Sequence, residues 1–204
     1  MNAVLLAPLL YALTWAFNRS YFPTQTKVET GVATASEAQW LHKFLARMNE
    51  PELPGFTKDV NAEVYRMIIL PTWGNSILVR VEEHRTIYSL SAIRLDGQAG
   101  FELGKLVEAK NFELNPEDSK ALDQLIHNVS FFQLPTDDGV LGKDGEAWIL
   151  EGVSQGKYHV VHRWAASSYN VKERGLTPFL NLCRFLVDKS ALSERPKNKG
   201  HKLI

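Results

Sequence analysis

Three strands in close succession are predicted in the stretch AEVYRMIILPTWGNSILVRVEEHRTIYSLSAIRL, Ala62–Leu95. Apolar and β-branched residues dominate its segments Ala62–Leu70, Ser76–Glu83 and Thr86–Leu95, which is typical of strands. A short turn at residues 71–75 and a tight turn at His84–Arg85 separate them. Connections this short can join only antiparallel neighbours. The stretch therefore predicts an antiparallel meander.

Helices and further strands flank this meander. An amphipathic helix precedes it, a short extended segment within Lys105–Phe112 follows it, and Asn115 caps a second helix. A hairpin in Trp148–Trp164 and a last helix from Thr177 complete the chain. Strands grouped in runs are typical of the α+β class. We predict an α+β fold with an antiparallel sheet of about five to six strands and helices packed on one face.

The composition excludes some classes of protein. The chain has 204 residues with 23 basic and 23 acidic side chains, so no net charge attracts it to nucleic acid. Its one cysteine, Cys183, allows neither an internal disulfide nor a cysteine-rich zinc site. We expect no nucleic-acid partner, no cofactor and no structural metal.

The N-terminus suggests association with a membrane. Residues 1–18 are apolar almost throughout and carry no charged side chain, which favours a hydrophobic anchor or signal segment. The alternative is a hydrophobic helix packed on the domain. We expect a linker at 19–35, an α+β domain at 36–192 and a disordered basic tail at 193–204. The localisation that follows is membrane-associated or exported to the cell envelope, with a cytoplasmic location left open.

The hairpin concentrates ionisable side chains. A turn at Gln155–Gly156 sets Glu151 opposite Val160, with Tyr158 and His162 as diagonal neighbours on the same face. Glu151 and His162 could form a general acid/base pair. Alternatively, His162 or Tyr158 satisfies a half-buried carboxylate and the hairpin is architectural. His159 falls on the other face, so the two histidines cannot chelate one metal ion from a regular strand.

A second group of candidate residues lies in the meander. If the first turn is centred on Trp73, Arg66 and Arg80 lie directly opposite each other, and the tight turn sets Ser89 opposite Arg80. Like charges in this position are unfavourable unless something compensates them. Glu82 on the same face and solvent could do so, and so could a bound anion or an acidic protein partner.

One resemblance is carried by the hairpin and the last helix. The motif W-x-L-E-G at Trp148–Gly152, followed by G-x-Y-H-V-V-x-R-W at Gly156–Trp164, resembles a signature of uncharacterised bacterial proteins. The similar region runs roughly over Val64–Leu192. The resemblance implies a bacterial source and no assigned activity.

The function predicted from the sequence is a bacterial, envelope-associated binding or interaction module, similar to immunity or inhibitor proteins. The alternatives are a hydrolase that uses Glu151 and His162, and a structural envelope protein. The partner would be a protein or an anionic ligand, and the oligomeric state is left open. The candidate binding residues are Arg66, Arg80, Ser89, Glu151, Tyr158, His162, Arg163 and Trp164.

Overall fold

A computed structural model describes residues 35–98, 102, 104–140, 142 and 144–193. The contacts divide the chain into two units, one through Glu50 and one from Pro51 onward. Three predicted segments lie outside the described residues: the hydrophobic segment 1–18, residues 19–34 of the linker, and the tail beyond Ser193. Within the described part, no helix is both long enough and apolar enough to span a membrane.

The first unit contains helix α1, Ala35–Arg47. Its side chains Leu41, Phe44 and Leu45, with Met48 just beyond its end, are buried. These residues recur at the spacing of one helical face, as an amphipathic helix requires.

The second unit is built on a six-stranded sheet in the order β4-β3-β2-β1-β5-β6, with all neighbours antiparallel. This arrangement confirms the predicted α+β class with an antiparallel sheet. The strands are β1 (Val64–Pro71), β2 (Asn75–His84), β3 (Ile87–Gln98), β4 (Leu106–Glu113), β5 (Glu146–Ser154) and β6 (Lys157–Trp164).

Two of the three predicted hairpin registers are confirmed. Arg66 lies opposite Arg80 on β1 and β2, and Glu151 lies opposite Val160 on β5 and β6. The predicted pairing of Ser89 with Arg80 is wrong, because Ser89 lies opposite Glu82. The turn uses Arg85 at a φ of 68° and is one residue further along than predicted, so that His84 pairs with Ile87.

Two helices pack on one face of the sheet, which we call the helix face. They are α2 (Pro116–Val129) and α3 (Thr177–Lys189), and a short 3-10 helix, Phe131–Gln133, follows α2. The side-chain oxygen of Asn115 accepts a hydrogen bond from the Asp118 N–H and caps α2, as predicted. The core joins apolar side chains of both helices and the sheet, among them Met67, Val79, Leu90, Trp148, Leu150, Leu122, Phe179 and Leu186.

The opposite face of the sheet, the second face, carries the charged candidates other than Arg163. A 3-10 helix at Leu53–Lys58 packs there, where Leu53 contacts a small core of Val64 and Val153. Ile68 and Leu78, further along the same face, are also completely buried. Arg66 and Glu151 therefore lie among apolar neighbours rather than on a solvated surface.

Gly152 is required by packing on the helix face. A β-carbon at this position would lie 2.6 Å from a Phe131 ring carbon and 2.8 Å from a Tyr65 ring carbon. The two rings meet edge to face, with centroids 5.8 Å apart. Because a side chain at position 152 would push these rings apart, the glycine lets the 3-10 helix after α2 approach the sheet closely.

Candidate functional site

A buried ion pair joins two neighbouring interior strands of the sheet, β1 and β5. Arg66 on β1 lies directly opposite Glu151 on β5, and both side chains are 0% exposed. The Arg66 Nε–H donates to Glu151 Oε2 at 2.9 Å, and Nη2 lies 2.9 Å from the same oxygen. Arg66 Nη1 donates to the Pro51 carbonyl at 2.7 Å. An arginine provides the several donors that such a buried carboxylate needs.

Tyr158 completes this cluster from β6. Its hydroxyl donates to Glu151 Oε1 at 2.8 Å, so each carboxylate oxygen accepts a hydrogen bond from a different strand. Burial, and then the neighbouring Glu151 carboxylate, raise the pKa of Tyr158 well above its usual value. The hydroxyl therefore stays protonated and remains a donor. We call Arg66, Glu151 and Tyr158 the buried triad.

Arg80 lies opposite Arg66 on β2, and Ser89 lies one strand further away on β3. Both residues contact Glu82. Arg80 forms an ion pair with Glu82, two residues along the same face of β2. Ser89 Oγ donates to the backbone carbonyl of Glu82 at 3.4 Å. Each of the two opposed arginines thus has its own carboxylate, Glu151 for Arg66 and Glu82 for Arg80. This removes the need for an external anion that their opposition suggested.

His162 belongs to a different cluster, at the outer edge of the sheet. Its Nδ1 lies 3.2 Å from Asp137 Oδ2, and its backbone N–H donates to the Thr136 carbonyl at 2.6 Å. The loop after α2 therefore runs along β6 and covers part of its edge. Glu151 contacts Arg66 and Tyr158 instead, so the histidine and the glutamate are held by different partners.

Arg163 holds this loop in place from the helix face. Nη1 donates to the Thr136 carbonyl at 3.0 Å and Nη2 donates to the Pro135 carbonyl at 2.8 Å. Its Nε lies 3.7 Å from Asp138, which also accepts a hydrogen bond from Arg174 Nε at 2.8 Å. Burial lowers the pKa of Arg163, and the carboxylates of Asp138 and Asp137 oppose that effect. Arg163 is 3% exposed and is therefore a loop anchor rather than a surface ligand.

Trp164 packs against the glycines of the loop that leads into β5. A β-carbon on Gly142 would lie 2.2 Å from Trp164 Nε1, and one on Gly145 would lie 3.0 Å from its ring. The indole thus occupies space that only glycine leaves open. This contact explains two of the loop's glycines.

The remaining reactive groups are placed for packing. His159 lies on the helix face, where its ring contacts Phe131 and its Nε2–H donates to the Leu134 carbonyl at 2.8 Å. Cys183 is completely buried on α3, and burial raises the pKa of its thiol. In the part of the chain that the structure describes, no three histidine, cysteine or acidic side chains lie together as a metal site would need.

The structure places seven of the eight candidates in three groups and Trp164 by itself. Arg66, Glu151 and Tyr158 meet in the buried triad, Arg80 and Ser89 surround Glu82, and His162 and Arg163 hold the loop after α2. Trp164 packs at the start of β5. Three residues of the loop cluster, Asp137, Asp138 and Arg174, were not predicted as partners. The paired aspartates directly before Gly139 were a visible signal, because such residues commonly order a turn.

No protein-family model matches the chain, and no curated protein gives a significant match. The resemblance based on Trp148–Trp164 therefore stays a prediction.

Proposed function

We propose that this chain is a protein-binding module of the immunity or inhibitor type, from a bacterial cell envelope and associated with the membrane through residues 1–18. The observation that carries the proposal is the exposure of strand β4 at the edge of the sheet. Leu106 is 49% exposed, Val107 45% and Phe112 38%. Apolar side chains gathered on an open strand are typical of surfaces that bind another protein.

The geometry of the acidic and basic groups supports binding over catalysis. A general base must reach a proton of the substrate, and Glu151 has no exposed side-chain surface. Arg66 and Tyr158 occupy its two oxygens. A hydrolase that uses Glu151 with His162 would have to expose the buried carboxylate on β5 during each turnover. The third possibility is a structural envelope protein, which could also use the exposed strand. It would differ from an inhibitor because it does not control the activity of its partner.

Affinity capture from extracts of the native host tests the proposal. The full chain serves as bait beside Phe112→Lys, which puts a charge into the exposed apolar group of β4. The matched control is Tyr169→Lys, because Tyr169 is 51% exposed and lies far along the chain from β4. We expect the wild type and Tyr169→Lys to retain the same protein and Phe112→Lys to lose it. A partner retained equally by all three baits would contradict binding through β4.

A further inference from the structure

The inference concerns what binds to β4 when the proposed partner is absent. It rests on the proposed use of β4 as a binding edge, for which the partner would compete with a second copy. β4 is the last strand of the sheet order and pairs with β3 on one side. No strand in the described residues pairs with its other side. Seven of its eight residues are exposed, and Glu108 is half-buried. At about 3.4 Å per residue, the open edge is roughly 27 Å long. It offers a row of backbone donors and acceptors to another strand.

Exposed apolar side chains are concentrated on this strand. In the described residues, three of the six large exposed hydrophobic side chains belong to β4: Leu106, Val107 and Phe112. The other three, Val60, Trp73 and Tyr169, lie in separate loops and turns. Pairing of β4 with another strand would remove the largest group of exposed apolar side chains from water.

The charges of β4 favour one arrangement of two copies. A two-fold axis perpendicular to a sheet keeps each face on its own side, so only residues of the same face can lie opposite each other. Glu108 and Lys110 share a face, opposite Arg94 and Ala92 of β3, and Ala109 lies on the other face. An axis through Glu108 or through Lys110 would set like charges against each other. An axis through Ala109 sets Glu108 of each copy, which also contacts Lys110 and Arg94 of its own chain, opposite Lys110 of the other copy.

This register also groups the apolar residues. With the axis at Ala109, Phe112 of one copy lies at the end of the strand that carries Leu106 and Val107 in the other. Glu108–Glu113 is in regular register with β3, so the central pairs fall on regular backbone. The chain has no formal net charge, so two copies do not repel each other over long distances.

We infer that β4 binds β4 of a second copy of this chain, antiparallel about Ala109, and forms a continuous twelve-stranded sheet from two six-stranded ones. The contact is short and isologous. Because its central part contains two ion pairs rather than a large apolar core, the dimer is a dissociable one, with an interface at the small end of the range for specific complexes.

Charge exchange on the full chain tests the register. Glu108→Lys sets lysines opposite Lys110, and Lys110→Glu sets glutamates opposite Glu108, so each variant alone replaces two attractive pairs by two repulsive ones. Sedimentation velocity over a wide concentration range should show dimers of the wild type. We expect the dimer dissociation constant of each variant to be at least about tenfold higher than that of the wild type. Lys120→Glu on α2, which is exposed and changes the net charge equally, should dimerise like the wild type.

Mixing the two variants separates the proposed pairing from loss of folding. In a mixture, the copy with two lysines faces the copy with two glutamates, and every opposed pair becomes attractive. We expect a heterodimer that equals or exceeds the wild-type dimer in stability. A variant that failed to fold could not be rescued in this way. Absence of rescue, with both variants folded by circular dichroism, would overturn the register.

Two further results would overturn the inference and leave the proposed function to the capture experiment. A wild type that is monomeric at every concentration, with freely exchanging β4 amides, would show that no second copy binds. Ser193, the last described residue, lies against Glu108 of β4. If the β4 amides are protected in the monomer and lose that protection when residues 194–204 are removed, the chain's own tail occupies the edge.

Discussion

At the scale of single residues, the sheet depends on how the two buried charges of the triad are satisfied. An isolated buried carboxylate costs several kcal/mol, and a buried ion pair offsets this only when its hydrogen bonds are complete. Glu151 accepts from Arg66 on one oxygen and from Tyr158 on the other. His162, the other partner considered from the sequence, bonds to Asp137 instead.

Substitution of the two aromatic neighbours should therefore have unequal effects. Tyr158→Phe removes a donor from a completely buried carboxylate, and we expect the free energy of unfolding to fall by about 1–3 kcal/mol. His162→Ala removes one partly exposed contact with Asp137, and we expect a loss of less than about 1 kcal/mol. Urea unfolding of both variants measures the difference. A larger loss for His162→Ala would mean that the loop, not the triad, limits stability.

His159 should make stability depend on pH. Burial lowers its pKa below the usual value of 6.5, and Arg163 adds to this effect, although the Leu134 carbonyl opposes it. The unfolded chain therefore binds a proton at a higher pH than the folded chain. The contribution is complete above about pH 6.5 and is lost as the pH falls from there through the folded pKa.

We expect the free energy of unfolding to be steady from about pH 7.5 to about pH 6.5 and to decrease below it, and to decrease less in His159→Gln. The glutamine amide can still donate to the Leu134 carbonyl, so the variant changes the titration more than the hydrogen bond. Denaturant unfolding across this range gives the comparison. Parallel curves for the wild type and the variant would assign the pH dependence to other groups.

At the scale of elements, close contacts fix how the helices and the short segment after α3 meet the sheet. The 3-10 helix after α2 reaches β5 over Gly152, and the segment after α3 reaches β4 through Ser193. Ser193 Oγ donates to Glu108 Oε2 at 2.7 Å, and its backbone N–H donates to the same carboxylate.

Gly152→Ala should be destabilising although alanine favours regular structure. The added methyl group would contact Phe131 and Tyr65 at distances that no relaxed structure allows, so the rings must move. We expect a loss of about 1–3 kcal/mol in the free energy of unfolding, as for other overpacked cores. Gly55→Ala is the matched control, because no atom lies within 4 Å of a β-carbon at Gly55. Equal losses would show that the effect does not come from the two rings.

The contact between Ser193 and β4 should be visible in the titration of Glu108. The Ser193 hydroxyl, followed by its N–H, Arg94 and Lys110, lowers the pKa of Glu108 to about 2. The stability that this provides is present above the usual pKa of 4.5 and is lost as the pH falls through about 2. Ser193→Ala should raise the pKa towards 4.5, measured by the carboxyl carbon-13 shift. Ser91→Ala, which leaves these contacts in place, should not.

At the scale of the whole molecule, what could be predicted from the sequence follows from the distance between partners along the chain. Hairpin registers were predicted because a short turn fixes them, and the single error, Ser89, came from placing one turn a residue early. The pairing of β1 with β5 could not be predicted, since no turn connects them. Arg66 and Glu151 were therefore both candidates, but not recognised as partners. Each is a charge with apolar residues around it in its strand, and their opposite signs were the available signal.

The pairing of β1 with β5 also constrains the order of events in folding. The bond from Arg66 to Glu151 joins residues 85 positions apart, whereas the meander β1–β4 and the hairpin of β5 and β6 each close through local turns. Closing the longer loop costs more chain entropy before any contact rewards it. We expect the meander and the hairpin to form first and to join after the rate-limiting barrier.

Arg66→Met should then accelerate unfolding and hardly change the refolding rate, while Val81→Ala within the meander should slow refolding. Stopped-flow refolding and unfolding rates test this order, and slower refolding of Arg66→Met would place the joining of the two halves before the barrier.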